Sequence, residues 1–165
     1  MFKNEGPAAG ASLLHAHSQV IAFPEAPPTV RPMWERLSAA PDMLDGLPVT
    51  TLDGWRVTSP PAPRGSFEAW IRPAGSPRRF SEADAAGLSV VLAQVIAAVG
   101  AEAFNLVLQV PPASAPQSVQ SLWWLELIPR TSQIAGIELA TGRWINSVSP
   151  ESAAEQLRER LAAGE

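Results

Sequence analysis

The chain has 165 residues, 46% hydrophobic and 17% charged, with 12 Lys and Arg against 16 Asp and Glu and a net charge of −4. That composition is globular and long enough to bury a core, and its acidity leaves no electrostatic case for nucleic acid or an anionic membrane as partner. No apolar run approaches bilayer-spanning length, the N-terminus lacks a signal-peptide layout, and the absence of Cys excludes disulfides and suits a reducing, cytoplasmic setting.

In chain order, residues 12–23, SLLHAHSQVIAF, predict a strand from their alternation and β-branched residues. A period of two puts His15, His17 and Gln19 on one face and turns Leu14, Ala16 and Val20 toward the other. These are the only two histidines of the protein. A Pro-rich break at 24–32 precedes a short helix over Pro32–Ala40 and a loop, APDMLDGLP. Strands are expected at Trp55–Ser59 and Phe67–Arg72. The clearest helix is SEADAAGLSVVLAQVIAAVG, started by a Ser81–Asp84 capping box and ended by Gly100. Its apolar stripe is Leu88, Leu92, Val95, Ile96 and Val99.

FNLVLQV and LWWLELIPR follow as two more strands around a polar loop. On the second, Trp123 and Trp124 face opposite sides, one of them onto a surface meant to be covered. The other tryptophans, Trp34, Trp55, Trp70 and Trp144, are expected in the core or an interface. A last helix starts at Ser149–Pro150 and turns Ala153, Ala154, Leu157 and Leu161 to one side. The order predicts an antiparallel α+β fold with one long packed helix and a C-terminal helix.

FKNEGPAAGASLLHAHSQ resembles the galactose-1-phosphate uridylyltransferase family of the histidine-triad superfamily, which carries Asn, a small-residue segment, Ser, and His-Pro-His before Gln. LELIPRTSQIAGIELATGRWINSVSPESAAEQLRE is similar to that family's C-terminal signature. The resemblance implies a histidine-triad-like antiparallel sheet in three parts. Residues 1–23 correspond to the last strand of a first half, 24–48 to a linker with a short helix, and 49–165 to a second half. It further implies that the other first-half strands, much of the nucleotide pocket and the usual N-terminal metal ligands would precede Phe2.

By the same resemblance His17 is the nucleophile and His15 a metal ligand. Asn4, Ser12 and Gln19 contact phosphate or nucleotide, and Glu138 contacts sugar hydroxyls. The chemistry is physically sound: a neutral imidazole whose other nitrogen is held by a carbonyl or carboxylate attacks phosphorus, giving a nucleotidyl-histidine and two-step transfer. The Gly6–Gly10 amides are candidate donors to the phosphoryl oxygens. Zinc follows from the family, but two histidines and carboxylates make an incomplete ligand set. Leu122 and Trp124 stand where relatives carry histidines and Glu126 alone is retained, either a leftover or a buried partner for an Arg, in an apolar strand packed on both faces with one satisfied carboxylate. Arg130 is either a phosphate contact or a surface residue.

The implied function is a sugar-1-phosphate nucleotidyltransferase, with a nucleotide sugar or sugar phosphate as partner. The alternatives are a catalytically inactive relic or binding module of the same fold, and a small histidine-triad hydrolase. Half of the family architecture lies outside the sequence, so an exposed apolar face and a homodimer are expected.

Overall fold

The computed structural model describes residues 1–13, 15–25, 27–28, 30–75, 78–113 and 115–164. Six strands form one antiparallel sheet: β1 (Phe2–Glu5), β2 (Leu47–Leu52), β3 (Trp55–Ser59), β4 (Ala69–Pro73), β5 (Phe104–Gln109) and β6 (Trp124–Pro129), in the order β1-β5-β6-β4-β3-β2. Four helices accompany them: α1 (Arg31–Ala39), α2 (Ala85–Val99), α3 (Gly136–Thr141) and α4 (Pro150–Ala163). The α+β class, the antiparallel sheet, the long helix and the C-terminal helix are as expected.

Alternation along the strands sends successive side chains to opposite faces, and each face has its own core. Val57, Ile71, Leu106, Leu125 and Leu127 pack with Val91 and Val95 of α2 and Ala154 and Leu157 of α4. On the other face Trp124 packs with Trp34 and Leu37 of α1, with Leu44 of the turn Pro41–Leu44, and with Val119. Trp123 and Trp124 therefore do face opposite ways, but both are buried. The surface under Trp124 is covered by this chain's own α1.

Local chemistry explains several boundaries. Ser149 accepts from the Ser152 amide at 3.2 Å and Pro150 occupies the first turn, so α4 starts where its cap dictates. Gly100 closes α2 in the left-handed conformation. The α2 capping box is corrected: Glu82, not Asp84, reaches back, accepting from the Arg79 amide at 2.9 Å within the turn Phe80–Glu82. The helix then begins at Ala85, with Asp84 making no side-chain cap bond. Its buried line is Val91, Val95, Ala98 and Val99, with Leu88, Leu92 and Ile96 half-buried beside it. Strand β2, of which only Leu47 and Pro48 fall in the expected loop and the rest in no expected element, pairs with β3 through Asp53 and Gly54, both at positive φ as a type I′ hairpin turn requires.

The expected strand over 12–23 is overturned. Among the described residues of that stretch, one bridge forms, between Gln19 and Phe2, with N···O distances of 2.8 and 2.9 Å. A strand persists only where a neighbour satisfies its amides, and among the described residues β1 meets this segment at that one bridge alone. Leu14, part of the expected alternation, lies outside the described residues. Val20, Ile21 and Phe23 are exposed.

Candidate functional site

The histidines lie on this irregular segment, His15 exposed and His17 half-buried, with ring centroids 5.3 Å apart. His17 Nδ1 is 3.0 Å from the His15 carbonyl oxygen. A carbonyl only accepts, so Nδ1 carries the proton of this bond, and in the neutral ring Nε2 is then the nitrogen with the lone pair. Gln19 is held by its backbone to Phe2, and its side chain and Ser12 are exposed.

The Gly6–Gly10 stretch does not offer the row of donors expected of it. It folds as a tight turn, Pro7–Ala9, in which the Ala9 amide donates to Gly6 and the Gly10 amide to Pro7. Zinc does not fit the residues present: among the described residues no three His, Cys, Asp or Glu side chains lie close enough to hold a metal ion. Among the described residues His15 thus belongs to no set of three ligands of the kind the resemblance implied.

A cleft of about 310 Å³ opens on the Trp124 face of the sheet, at its β1-β5-β6 end. Asn4 and Asn105, paired in register on β1 and β5, form its floor with Ile128 of β6. The loop after β6, with Arg130 and Ser132, and the α3 region, with Glu138 and Trp144, form its walls. Of the expected site residues, Asn4 and Glu138 meet here. Ser12, His15, His17 and Gln19 are not among the residues lining it.

Asn105 Nδ2 donates to Asn4 Oδ1 at 2.8 Å and to the Ala9 carbonyl at 2.9 Å, which uses both its hydrogens. Asn4 Nδ2 and Asn105 Oδ1 are left for a ligand. Glu138 sits on helix α3 rather than at a strand edge, and its Oε2 accepts from the Ala135 amide at 3.0 Å. Its own backbone amide and then that of Ala135 hold its carboxyl below the usual carboxylate range. Trp144, expected in the core or an interface, is exposed beside the cleft.

Behind the cleft is an ion network that sequence reasoning half found. Glu126 is 4% exposed and Glu68 2%. Arg64 binds both: Nε and Nη2 donate to Glu68 at 3.2 and 2.5 Å, and Nη2 also donates to Glu126 at 2.8 Å. The Trp124 indole donates to the other Glu126 oxygen at 3.0 Å. Burial alone would lower the Arg64 pKa, but the hydrogen bond and charge of Glu68, then those of Glu126, outweigh it and raise it. The expected Arg partner of Glu126 is thus Arg64, whose spacing to Glu68 (i, i+4) was its only local signal.

Sheet and helices form an antiparallel α+β domain with the fold of galactose-1-phosphate uridylyltransferase-like proteins. No protein-family model matches the chain. A curated ADP-glucose phosphorylase of Arabidopsis thaliana is 30% identical, over 96% of this chain and 51% of its own length. A crystal structure of an ADP-glucose phosphorylase from the same plant, with ADP-glucose bound, superposes with a TM-score of 0.83 at 27% identity, covering 96% of this chain and 56% of that one. A galactose-1-phosphate uridylyltransferase-like protein, also from Arabidopsis thaliana, gives 0.82 at 28%, covering 96% and 59%. A uridylyltransferase structure shares the fold at 0.79 and 22% identity, covering 98% and 60%. The chain spans about half the length of these relatives.

Proposed function

We propose that the chain takes part in nucleotidyl transfer from a nucleoside diphosphate sugar, with His17 as the nucleophile. His17 Nε2 attacks the phosphorus next to the nucleoside. A P–N bond forms, the P–O bond to the sugar phosphate breaks, and a second phosphate-bearing acceptor later takes the nucleotidyl group from the imidazole. The observation that supports this reading is the Nδ1–H bond to the His15 carbonyl, which leaves Nε2 as the ring nitrogen turned to attack. Its relatives supply the class of substrate, and Asn4, Ser12 and Gln19 remain the proposed phosphate contacts, with Glu138 for sugar hydroxyls.

Incubation with ADP-glucose or UDP-glucose radiolabelled in the nucleotide is expected to leave acid-labile label on the protein. His17→Gln is expected to lower the rate of labelling on the order of 10³-fold or more, as loss of a covalent nucleophile does. Unlabelled wild-type protein would overturn the reading.

A second reading, a binding module without transfer, is favoured by one observation: the cleft lined by Asn4 and Glu138 does not include His17. Under it, nucleotide sugars raise the melting temperature of wild type and His17→Gln alike, and neither becomes labelled.

A homodimer is part of the same proposal, supported by the exposed apolar side chains Val20, Phe23 and Leu139. Sedimentation at high micromolar concentration is expected to show a dimer, and a clean monomer would remove it.

A further inference from the structure

The two cations lining the cleft are Arg64 and Arg130, and they are not equivalent. Arg64 uses Nε and both hydrogens of Nη2 on Glu68 and Glu126. Its Nη1 donates to no atom among the described residues, and Arg64 is part of the cleft lining. One positive and two negative charges make this unit net negative. A phosphate placed at Nη1 would have two carboxylates behind it, whereas a neutral oxygen pays no such repulsion and still gains a charge-assisted donor.

Arg130 is the opposite case. Among the described residues no carboxylate pairs with it, and its Nε is buried with no hydrogen-bond partner. That Nε is closed off, but the residue itself lines the cleft with its charge unpaired by any carboxylate among the described residues, which favours an anionic ligand there. Asn4 Nδ2, also without a protein acceptor, lines the same cleft.

We infer that Arg64 is a specificity-determining residue: the cleft binds a phosphorylated, hydroxyl-bearing ligand in one orientation, its phosphate on Arg130 and a neutral hydroxyl oxygen on Arg64 Nη1. The two buried carboxylates fix the guanidinium before ligand arrives, so little side-chain freedom is lost on binding. The inference rests on the sugar-nucleotide reading for the hydroxylated class of ligand, but not on His17 chemistry.

The test is calorimetric titration of the full chain carrying His17→Gln, so that failure of transfer leaves it untouched. The probes are glucose 1-phosphate, methyl phosphate and inorganic phosphate. Glucose 1-phosphate is expected to bind about tenfold more tightly than methyl phosphate, which has the anion without the hydroxyls. Arg64→Lys keeps a cation between Glu68 and Glu126 but has no Nη1; it is expected to cut that tenfold preference to about threefold, Glu138 still meeting the hydroxyls, and to leave inorganic phosphate unchanged. Arg130→Gln is expected to weaken all three about tenfold or more, and to flatten their dependence on salt. Equal affinity for glucose 1-phosphate and methyl phosphate in the parent overturns the inference whether or not Arg64→Lys folds. So does unchanged phosphate binding by Arg130→Gln, or an intact preference in folded Arg64→Lys.

Discussion

Arg64→Met is expected to lower the free energy of unfolding by about 3–5 kcal/mol, the range for removing one partner of a buried ion network. The side chain's own burial is not the cause, since methionine fills much of the same space. What the substitution leaves is Glu68 and Glu126, both buried, with no cation between them and two carboxylates facing one another. In the wild type the raised Arg64 pKa gives the pH behaviour: the contribution is fully present below the unfolded-state value and is lost only as pH rises through the folded one, far above neutrality. The variant should behave differently. Its deficit comes from buried negative charge, so the folded state takes up protons more readily than the unfolded chain and the deficit shrinks as pH falls. Urea unfolding of both proteins at neutral and acidic pH checks the magnitude and the sign together. Adding Glu126→Gln to Arg64→Met removes one of the two stranded charges and is expected to recover part of the loss. A deficit under 1 kcal/mol at neutral pH, or one that grows toward acid, would show that the network does not carry the strain assigned to it.

How far the sequence could be read depended on whether the signal was local. Strand β3 and helices α1, α2 and α4 were legible because their periodicity or caps lie within the element: Ser149–Pro150 starts α4 and Gly100 ends α2. Strand β1 was not, because FKNE has no alternation to detect and becomes a strand only by pairing with β5, about a hundred residues away. The reverse error occurred at 12–23, where a strand-like pattern meets β1 at a single bridge among the described residues. Helix α3 is six residues long and starts at Gly136, too short for a period to show. The site divided in the same way. The tautomer of His17 follows from a carbonyl two residues back and was foreseeable. The Arg64–Glu126 pair spans 62 residues, so the need for an Arg was readable from a carboxylate in an apolar strand, while its identity required the fold. Asn105 was missed because a strand asparagine carries no signal until Asn4 stands opposite it.

Trp124→Ala is expected to cost about 3–5 kcal/mol from the cavity alone, with a further local effect that separates it from an ordinary core truncation. Trp124 is 1% exposed and lies between two other indoles, 5.4 Å from Trp34 and 5.7 Å from Trp70. Trp34 is the main anchor of α1, a nine-residue helix whose other buried side chain is Leu37. Helices this short have little stability of their own and persist through the face they bury. Removing the indole also strips Glu126 of a donor at 3.0 Å, leaving an oxygen that Arg64 does not reach. The sheet's opposite core, built on α2 and α4, shares no buried side chain with this cluster. Trp124→Ala should therefore loosen α1 first, and limited proteolysis is expected to cut within residues 31–44 well before the sheet unfolds. Trp124→Phe keeps most of the packing but not the donor, so it should retain α1 protection and lose about 1–3 kcal/mol. If both variants unfold in one step with α1 protected to the end, the second core is not a separable unit, and the cover it places over the sheet is as rigid as the sheet itself.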